Sequence, residues 1–305
     1  VFAPKANSDF AVGPIRIVSK DIFLREQSDA FSKERGIDDF HAQLGNEWSE
    51  YVTGYDHFVT VRMLGLESDV AWPLARDAAE FGLNLIRMSF GLYHTDDIRI
   101  GNGFRWEVKQ ATVRIALDGS PFFSSSSGPW GTHFGDEWME HFETMLGGHA
   151  GTLASYAQWL VDAIEVRNPV YERMKYANQL IAEGYSEPHA HIRLVRVVSA
   201  LEALALLSGK DKAHNLALNC AYVGSYGDPE RACEIYDAIR AAYSLRSEVV
   251  HGDAPSATRV SAAFRLLDDH LVHIYLGFAL LFAAILRTSK VQSIAELRRQ
   301  FNRRI

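Results

Sequence analysis

The sequence predicts an α+β N-terminal region at residues 1–150, followed by an all-α helical bundle at residues 151–305. Segments in which apolar and polar residues alternate, as is typical of strands, occur before residue 120. Beyond residue 150, apolar residues recur every three or four positions, which places them on one face of a helix. A helical part of about 150 residues also has the usual size of a domain.

The N-terminal region begins irregularly. Residues 1–50 carry scattered prolines and glycines without sustained periodicity, so we expect irregular chain with a few short strands or turns. Residues 57–64 are rich in β-branched side chains and predict a strand that leads into a helix at residues 70–92. Alternation at residues 104–117 predicts one or two antiparallel strands, whereas the serine- and glycine-rich residues 121–135 predict a surface loop.

The remaining chain is predicted to be helical. Gly147 and Gly148 separate the first two helices, Pro169 begins the third, and Ser208 and Gly209 end the fourth. The predicted helices are 136–146, 152–166, 170–183, 188–207, 213–222, 228–251, 256–287 and 294–305.

Composition indicates an ordinary globular protein. A net charge of −7 argues against a surface that binds nucleic acid everywhere, although it leaves room for a local basic cleft. Cys220 and Cys233 are thirteen positions apart, which fits reduced thiols in the cytoplasm better than a disulfide framework. The apolar run at residues 274–286 is shorter than the ~20 residues that span a bilayer. We therefore expect a buried core or dimer-face helix and no membrane.

One stretch carries residues suited to catalysis. Arg246 precedes His251 by five positions, and Gly252 and Pro255 follow in the order typical of a helix end. Five positions correspond to about 140° on an ideal helix, so the two side chains could converge only near such an end. With Gly252 ending the helix, His251 would be the last helical residue, beside the unpaired carbonyl groups.

The Arg246 and His251 pair suits phosphodiester cleavage. A histidine can transfer a proton near neutral pH, and a guanidinium can hold a phosphoryl oxygen with two parallel hydrogen bonds. Together they could cleave RNA without a metal ion, with the 2′-hydroxyl as nucleophile. The same spacing also occurs in unrelated helical proteins, in which the histidine caps the helix and the arginine is solvated.

The residues around this pair resemble those of HEPN domains. The stretch Tyr-Ser-Leu-Arg-Ser-Glu-Val-Val-His-Gly at 243–252 follows Val-Ser-Ala-Leu-Glu-Ala-Leu at 198–204 and precedes a long helix. This combination is most similar to the Apea-like branch, and the resemblance covers about residues 152–305. It implies a HEPN-like helical bundle that dimerises so that two Arg/His pairs face one cleft, with the catalytic pair at Arg246 and His251.

The resemblance also implies an activity. The expected function is a metal-independent endoribonuclease that leaves 2′,3′-cyclic phosphate and 5′-hydroxyl ends, with RNA as partner and a defence or toxin setting. The open alternative is a non-catalytic HEPN module that dimerises or binds a nucleotide or a partner protein. The sequence contains neither a Walker A loop nor a dinucleotide-binding glycine motif, so no cofactor is expected.

Three residues are assigned supporting roles. Ser247 falls at the family's polar position after the arginine, where Asn, Asp or His is commoner, and Tyr243 would help to orient the pair. Glu202 interrupts an apolar run, and a buried carboxylate requires a partner, either Arg246 or the backbone. Alternatively, Glu202 continues a polar helix edge formed by Arg193, Arg196 and Ser199.

Other candidate sites are weaker. His133, His141 and His149 recur eight apart but lack metal-binding helix spacing, so we expect surface or loop histidines and no metal site. Trp130 is a candidate for stacking on a base. The C-terminal cations could contact phosphates but are more often solvated; they are Lys290, Arg298, Arg299, Arg303 and Arg304.

Overall fold

A computed structural model describes residues 9–35, 57–63, 66–91, 95, 98, 100, 108–115, 121–128, 138–162, 168–205 and 211–304. Most of these residues are helical. A three-stranded antiparallel sheet lies near the N-terminus, and a separate two-stranded hairpin follows it. The predicted stop at Ser208 and Gly209 lies outside the described residues, as do His133 and Trp130.

The three-stranded sheet is built from strands β1 (Asp9–Val12), β2 (Ile15–Ser19) and β3 (His57–Val61), with β2 in the centre. Alternate residues of β1 are buried, as expected for a strand with one face on the core. The β1–β2 turn needs glycine at position 13, because φ there is +57° and a Cβ would lie 2.8 Å from the carbonyl oxygen of Ala154. The turn thereby sits directly against a helix of the C-terminal half.

Two predictions for the N-terminal region were wrong. Helix α1 (Lys20–Arg35) lies within the chain that was expected to be irregular. Its sequence has weak periodicity, but Ile22 is buried and the Phe23 ring stacks on Phe58 with centroids 4.2 Å apart. Helix α1 is therefore stabilised by contacts with the neighbouring sheet rather than by a continuous apolar face.

The serine-rich segment is a strand over part of its length, not a loop. Strands β4 (Val108–Ile115) and β5 (Pro121–Gly128) pair antiparallel from Ile115 opposite Pro121 to Val108 opposite Gly128. Serine has little preference for strands, but a partner strand satisfies the backbone groups of both chains. Pairing therefore overrides the local composition.

The strand-to-helix prediction at residues 57–92 is confirmed by β3 and helix α2 (Ser68–Phe90). All regular elements described beyond residue 137 are helices, as predicted. They are α3 (Trp138–Leu146), a 3₁₀ turn (Gly147–His149), α4 (Ala150–Val161), α5 (Pro169–Ser186), α6 (Ala190–Leu204), α7 (Lys212–Gly224), α8 (Pro229–Val250), α9 (Ala257–Thr288) and α10 (Ile294–Asn302).

Side-chain caps explain several of the helix starts. Asn168, Asp228, Ser256 and Ser293 each accept a hydrogen bond from a backbone N–H in the first turn of the helix that follows. Proline occupies the first position of α5 and α8, where its missing N–H would have no partner anyway.

Helix α9 lies at the centre of the bundle. It packs against α2, α4, α6, α7, α8 and α10. At Gly277 the approach of α7 is so close that a Cβ would lie 2.2 Å from the carbonyl oxygen of Val223. The helix is long and apolar enough to cross a membrane, but 56% of its most apolar window is buried within the protein. A central core helix has the same composition.

The core is shared by the N-terminal and C-terminal elements. The Phe10 ring lies 4.6 Å from Phe142, and the Phe81 ring lies 4.8 Å from Tyr156, measured between centroids. Buried residues from the sheet, α2 and the C-terminal helices form one apolar cluster. The division between residues 150 and 151 falls at the first residues of α4 and stays a prediction.

Three partly buried histidines lie where the 3₁₀ turn approaches α9 in space. Burial lowers the pKa of His149, His270 and His273. The Tyr226 ring contacts both His149 and His273, with centroids 5.8 and 6.2 Å away. The charge of Arg231 lowers the pKa of His270 and His273 further, whereas Glu234 and Asp269 act in the opposite direction on His270.

The folded protein should therefore lose stability in mild acid. Below about pH 6.5 the unfolded chain protonates these histidines, whereas the folded chain resists until a lower pH, so the free energy of unfolding falls as the pH drops. Urea unfolding between about pH 7.5 and about pH 5.5 measures this. His149→Gln with His273→Gln should flatten the dependence; the wild-type slope in that double variant would contradict the prediction.

Candidate functional site

Arg246 of α8 forms an ion pair with Glu202 in the last turn of α6. The Arg246 Nη2 donates to Glu202 Oε2 over 3.0 Å, and the two side chains are 23% and 21% exposed. This contact confirms that Arg246 is a partner of the carboxylate that interrupts the apolar run of α6. Glu202 also lies at the edge of the buried face of α6, so the ion pair does not contradict the alternative of a polar helix edge.

Tyr243 completes a cluster with these two residues. It lies three positions before Arg246, on the same face of α8. The Arg246 guanidinium carbon is 5.8 Å from the centroid of the Tyr243 ring. Burial raises the pKa of Tyr243, as do the charge of Glu202 and a hydrogen bond to it, while Arg246 lowers it. We refer to Tyr243, Glu202 and Arg246 as the Arg246 cluster.

The cluster sits at the edge of the core. The buried stripe of α8 runs through Ile235, Ile239, Ala242 and Leu245, and Arg246 lies beside the end of this stripe. The Arg246 Nε is buried, and none of the described residues accepts a hydrogen bond from it. The guanidinium is thus positioned by packing and by Glu202, with part of the side chain still open to solvent.

His251 caps the C-terminus of α8 and is exposed. Gly252 N donates to Val249 O over 3.2 Å, and Asp253 N donates to Glu248 O over 2.9 Å, while Gly252 has φ of +92°. These two crossed hydrogen bonds and the left-handed glycine constitute a Schellman motif. The predicted end of the helix at Gly252 is therefore confirmed.

The helix end does not redirect the His251 side chain. His251 N still donates to Ser247 O over 3.0 Å, so the residue keeps its helical position, and the backbone departs only at Gly252. The angle of about 140° between positions 246 and 251 therefore remains. No hydrogen bond, ion pair or ring contact among the described residues joins Arg246 to His251. The expected convergence of the pair is not found within a single chain.

Ser247 contributes through its backbone. Its carbonyl oxygen accepts the hydrogen bond from His251 N, and the half-buried side chain makes no hydrogen bond among the residues that the structure describes. Its predicted orienting role thus has no side-chain contact to support it in one chain.

Two contacts that the sequence did not reveal hold the end of α8 in place. The ring Nε2 of His191 on α6 lies 2.7 Å from Pro255 O. Arg259 of α9 donates twice to Glu248, over 3.0 Å in each case. The segment between α8 and α9 is thus tied to α6, and the last turn of α8 is tied to α9. Neither contact lies within one helix, so no spacing along a helix could have indicated them.

The remaining candidates have other surroundings. Among the described residues, no group of three or more His, Cys, Asp or Glu side chains is arranged to hold a metal ion. His141 lies against the Phe90 ring, 5.5 Å between centroids, and His149 lies against Tyr226. Cys220 is buried and Cys233 exposed, and both are free thiols.

Replacing Gly252 should weaken the end of α8. Gly252→Ala places a Cβ in open space, so its cost is the strain of φ at +92°, about 1 kcal/mol of unfolding free energy. Gly151→Ala, in helical conformation within α4 and also in open space, should be neutral or stabilising. Chemical denaturation of both variants measures the difference; equal effects would contradict the role of the left-handed conformation.

The Arg246 and Glu202 pair should contribute more to stability than a surface pair. A double-mutant cycle with Arg246→Met and Glu202→Gln should give a coupling energy of about 1–2 kcal/mol, because both groups are largely removed from water. The matched pair, Arg259 and Glu248, has the same 3.0 Å separation but is 59% and 28% exposed, and should give about 0.5 kcal/mol. Equal coupling in the two cycles would contradict this assignment.

No protein-family model, curated protein or solved structure matches this chain. The site is therefore defined by its own geometry: Tyr243, Arg246 and the exposed His251 lie at the C-terminal end of α8, and Glu202 lies in the last turn of α6.

Proposed function

We propose that this chain is an endoribonuclease that cleaves RNA without a metal ion and leaves 2′,3′-cyclic phosphate and 5′-hydroxyl ends. The observation that carries the proposal is the Arg246 cluster, which holds a guanidinium at the edge of the bundle on the same helix that ends in the exposed His251. A fixed cation and an accessible imidazole are the two groups that this reaction requires.

Arg246 would act on the phosphate. During attack, negative charge accumulates on the non-bridging oxygens of the phosphorus, and a guanidinium that is already in position stabilises that charge without reorganisation. Glu202 accepts a hydrogen bond from Arg246 Nη2 and so fixes the plane of the guanidinium group. The remaining N–H donors of Arg246 can face a ligand. Glu202 and Tyr243 are positioning residues in this scheme.

His251 would move the protons. The 2′-oxygen loses its proton as it forms a bond to phosphorus, and the 5′-oxygen gains a proton as its bond to phosphorus breaks. An exposed imidazole at the helix end can take the first proton or supply the second. Two imidazole groups, one acting as base and the other as acid, would carry out both proton transfers.

A homodimer would supply the second group. Because Arg246 and His251 do not contact each other in one chain, we place the reaction in a cleft to which two copies of the helical part each contribute the pair. Val250, directly before His251, is 52% exposed and offers an apolar contact for such a partner. The proposed setting is the cytoplasm, where the free thiols would stay reduced.

One observation favours a second function. Arg246 is already neutralised by Glu202 and is separated from His251 around the helix, as expected for an ion pair that only holds α6 against α8. The chain would then be a non-catalytic dimerisation or ligand-binding module. This alternative predicts that changes at His251 affect association but not RNA.

Cleavage of RNA in EDTA distinguishes the two functions. Wild-type protein should produce fragments with 2′,3′-cyclic phosphate ends, and His251→Ala should lower the rate by about 10²- to 10⁴-fold, the usual loss for a general acid or base. Arg246→Ala should lower it by about 10²- to 10³-fold. Gel electrophoresis with end-group analysis provides the measurement.

Two variants serve as controls. His141→Ala and Arg240→Ala remove an exposed histidine and an exposed arginine outside the cluster and should retain wild-type rates. Equal RNA decay by wild-type protein and His251→Ala would rule out the catalytic proposal. Sedimentation of the same samples shows whether His251→Ala alters association, as the alternative requires.

A further inference from the structure

The chain segment that carries His251 is bound to α6 on both sides of this residue. Before His251, Arg246 Nη2 donates to Glu202 Oε2 over 3.0 Å. After His251, the ring Nε2 of His191 lies 2.7 Å from Pro255 O. Glu202 and His191 lie near opposite ends of α6. The end of α8 and the connection that follows it therefore run alongside one helix, with a contact at each end.

Pro255 is the point at which the connection between α8 and α9 meets the core. It is buried, whereas residues 251–254 and 256–259 on either side of it are exposed. A carbonyl oxygen can only accept a hydrogen bond, so His191 donates to Pro255 O and carries a proton on Nε2. The connection thus has a fixed point shortly after His251.

Helix α6 is a rigid support for both contacts. It packs against α5, α8 and α9, and its inward face lies in the core. The side chains of this face that are at most 1% exposed are Leu194, Val197, Val198, Ala200, Leu201 and Leu204. A closely packed interior leaves such a helix little freedom to shift. Glu202 and His191 therefore relate the segment around His251 to a single fixed body.

The last turn of α8 benefits from this support because helix ends fray. His251 is exposed, and its backbone N–H is bonded to Ser247 O. The crossed hydrogen bonds from Gly252 N and Asp253 N close the helix end. Movement of the connection would open these bonds and displace His251 relative to Arg246.

The contact between Arg259 and Glu248 does not replace that of His191. Glu248 precedes His251, so Arg259 holds the last turn of α8 from its N-terminal side. The bond to Pro255 holds the chain after His251. Both sides must be held for the position of the imidazole to be fixed.

We propose that His191 is a positioning residue for His251. By binding Pro255 O, it keeps the end of α8 closed and holds His251 in a constant place relative to Arg246. This inference rests on the proposed function, since it assigns proton transfer to His251. A misplacement of about 1 Å can lower a rate about 10²-fold, so a contact outside the reacting groups can set kcat.

Hydrogen exchange of the full-length protein tests the contact itself. His191→Leu removes the donor and should speed exchange of the amides at residues 251–253 about tenfold, because the helix end opens more easily. His191→Gln should exchange like wild type, since its amide nitrogen reaches about as far as the ring Nε2. Mass spectrometry of the peptides that cover this segment gives the rates. Wild-type exchange in His191→Leu would overturn the proposal.

Cleavage kinetics separate positioning from a merely structural role. His191→Leu should lower kcat about tenfold or more and leave KM within about twofold, because Arg246 still holds the phosphate while His251 transfers protons less efficiently. His191→Gln should restore the wild-type kcat. An equal loss of kcat in the leucine and glutamine variants, or a change confined to KM, would be incompatible with a positioning role.

Tyr226→Phe provides the matched control. It removes a hydrogen bond of the same kind, from the Tyr226 hydroxyl to His273 O over 3.1 Å, close to the other end of α8. Exchange at residues 251–253 and kcat should both stay at wild-type values. His191→Asn, whose side chain is too short to reach Pro255 O, repeats the test if His191→Leu does not fold.

The two proposals fail separately. Equal RNA decay by wild-type protein and His251→Ala removes the catalytic function, and hydrogen exchange then decides by itself whether His191 holds the helix end. Wild-type exchange and kcat in His191→Leu, together with lost cleavage in His251→Ala, remove only the role of His191.

Discussion

Burial of α9 is the constraint on which the rest of the structure depends. This helix presents apolar residues on most of its surface, so it must be surrounded, and six other helices pack against it. Among them are α6 and α8, which carry the candidate site. The positions of the site residues thus follow from how these helices pack around α9.

The Arg246 cluster shows how this packing places polar groups. α6 and α8 bury their apolar stripes against the same core, and the residues at the stripe edges face each other. Glu202 and Arg246 occupy such edges, so the attraction between their charges offsets part of the cost of removing each from water. A carboxylate in an apolar run is tolerated because another helix supplies its counter-charge. The same arrangement leaves the guanidinium only partly covered, which an anion-binding role requires.

The last turn of α6 is contacted by arginines from two other helices. Helix C-termini expose carbonyl groups without intrahelical partners, and arginine side chains are suitable donors to them. Arg173 donates to Ala203 O there, while Arg246 binds the adjacent Glu202. Arginines from α5 and α8 thus contact one helix end in a protein of net negative charge.

Sequence alone determined the helices of the C-terminal half and the end of α8, because caps, prolines and Gly252 act locally on the backbone. It also indicated that Glu202 needed a partner, since burial of an unpaired carboxylate is costly. It did not reveal α1 or β5, whose formation depends on neighbouring strands rather than on their own periodicity. Only the tertiary structure decided that Arg246 faces Glu202 while His251 faces solvent, and that His191 and Arg259 hold the end of α8. None of these contacts lies within one helix, because their partners are brought together by how the helices pack.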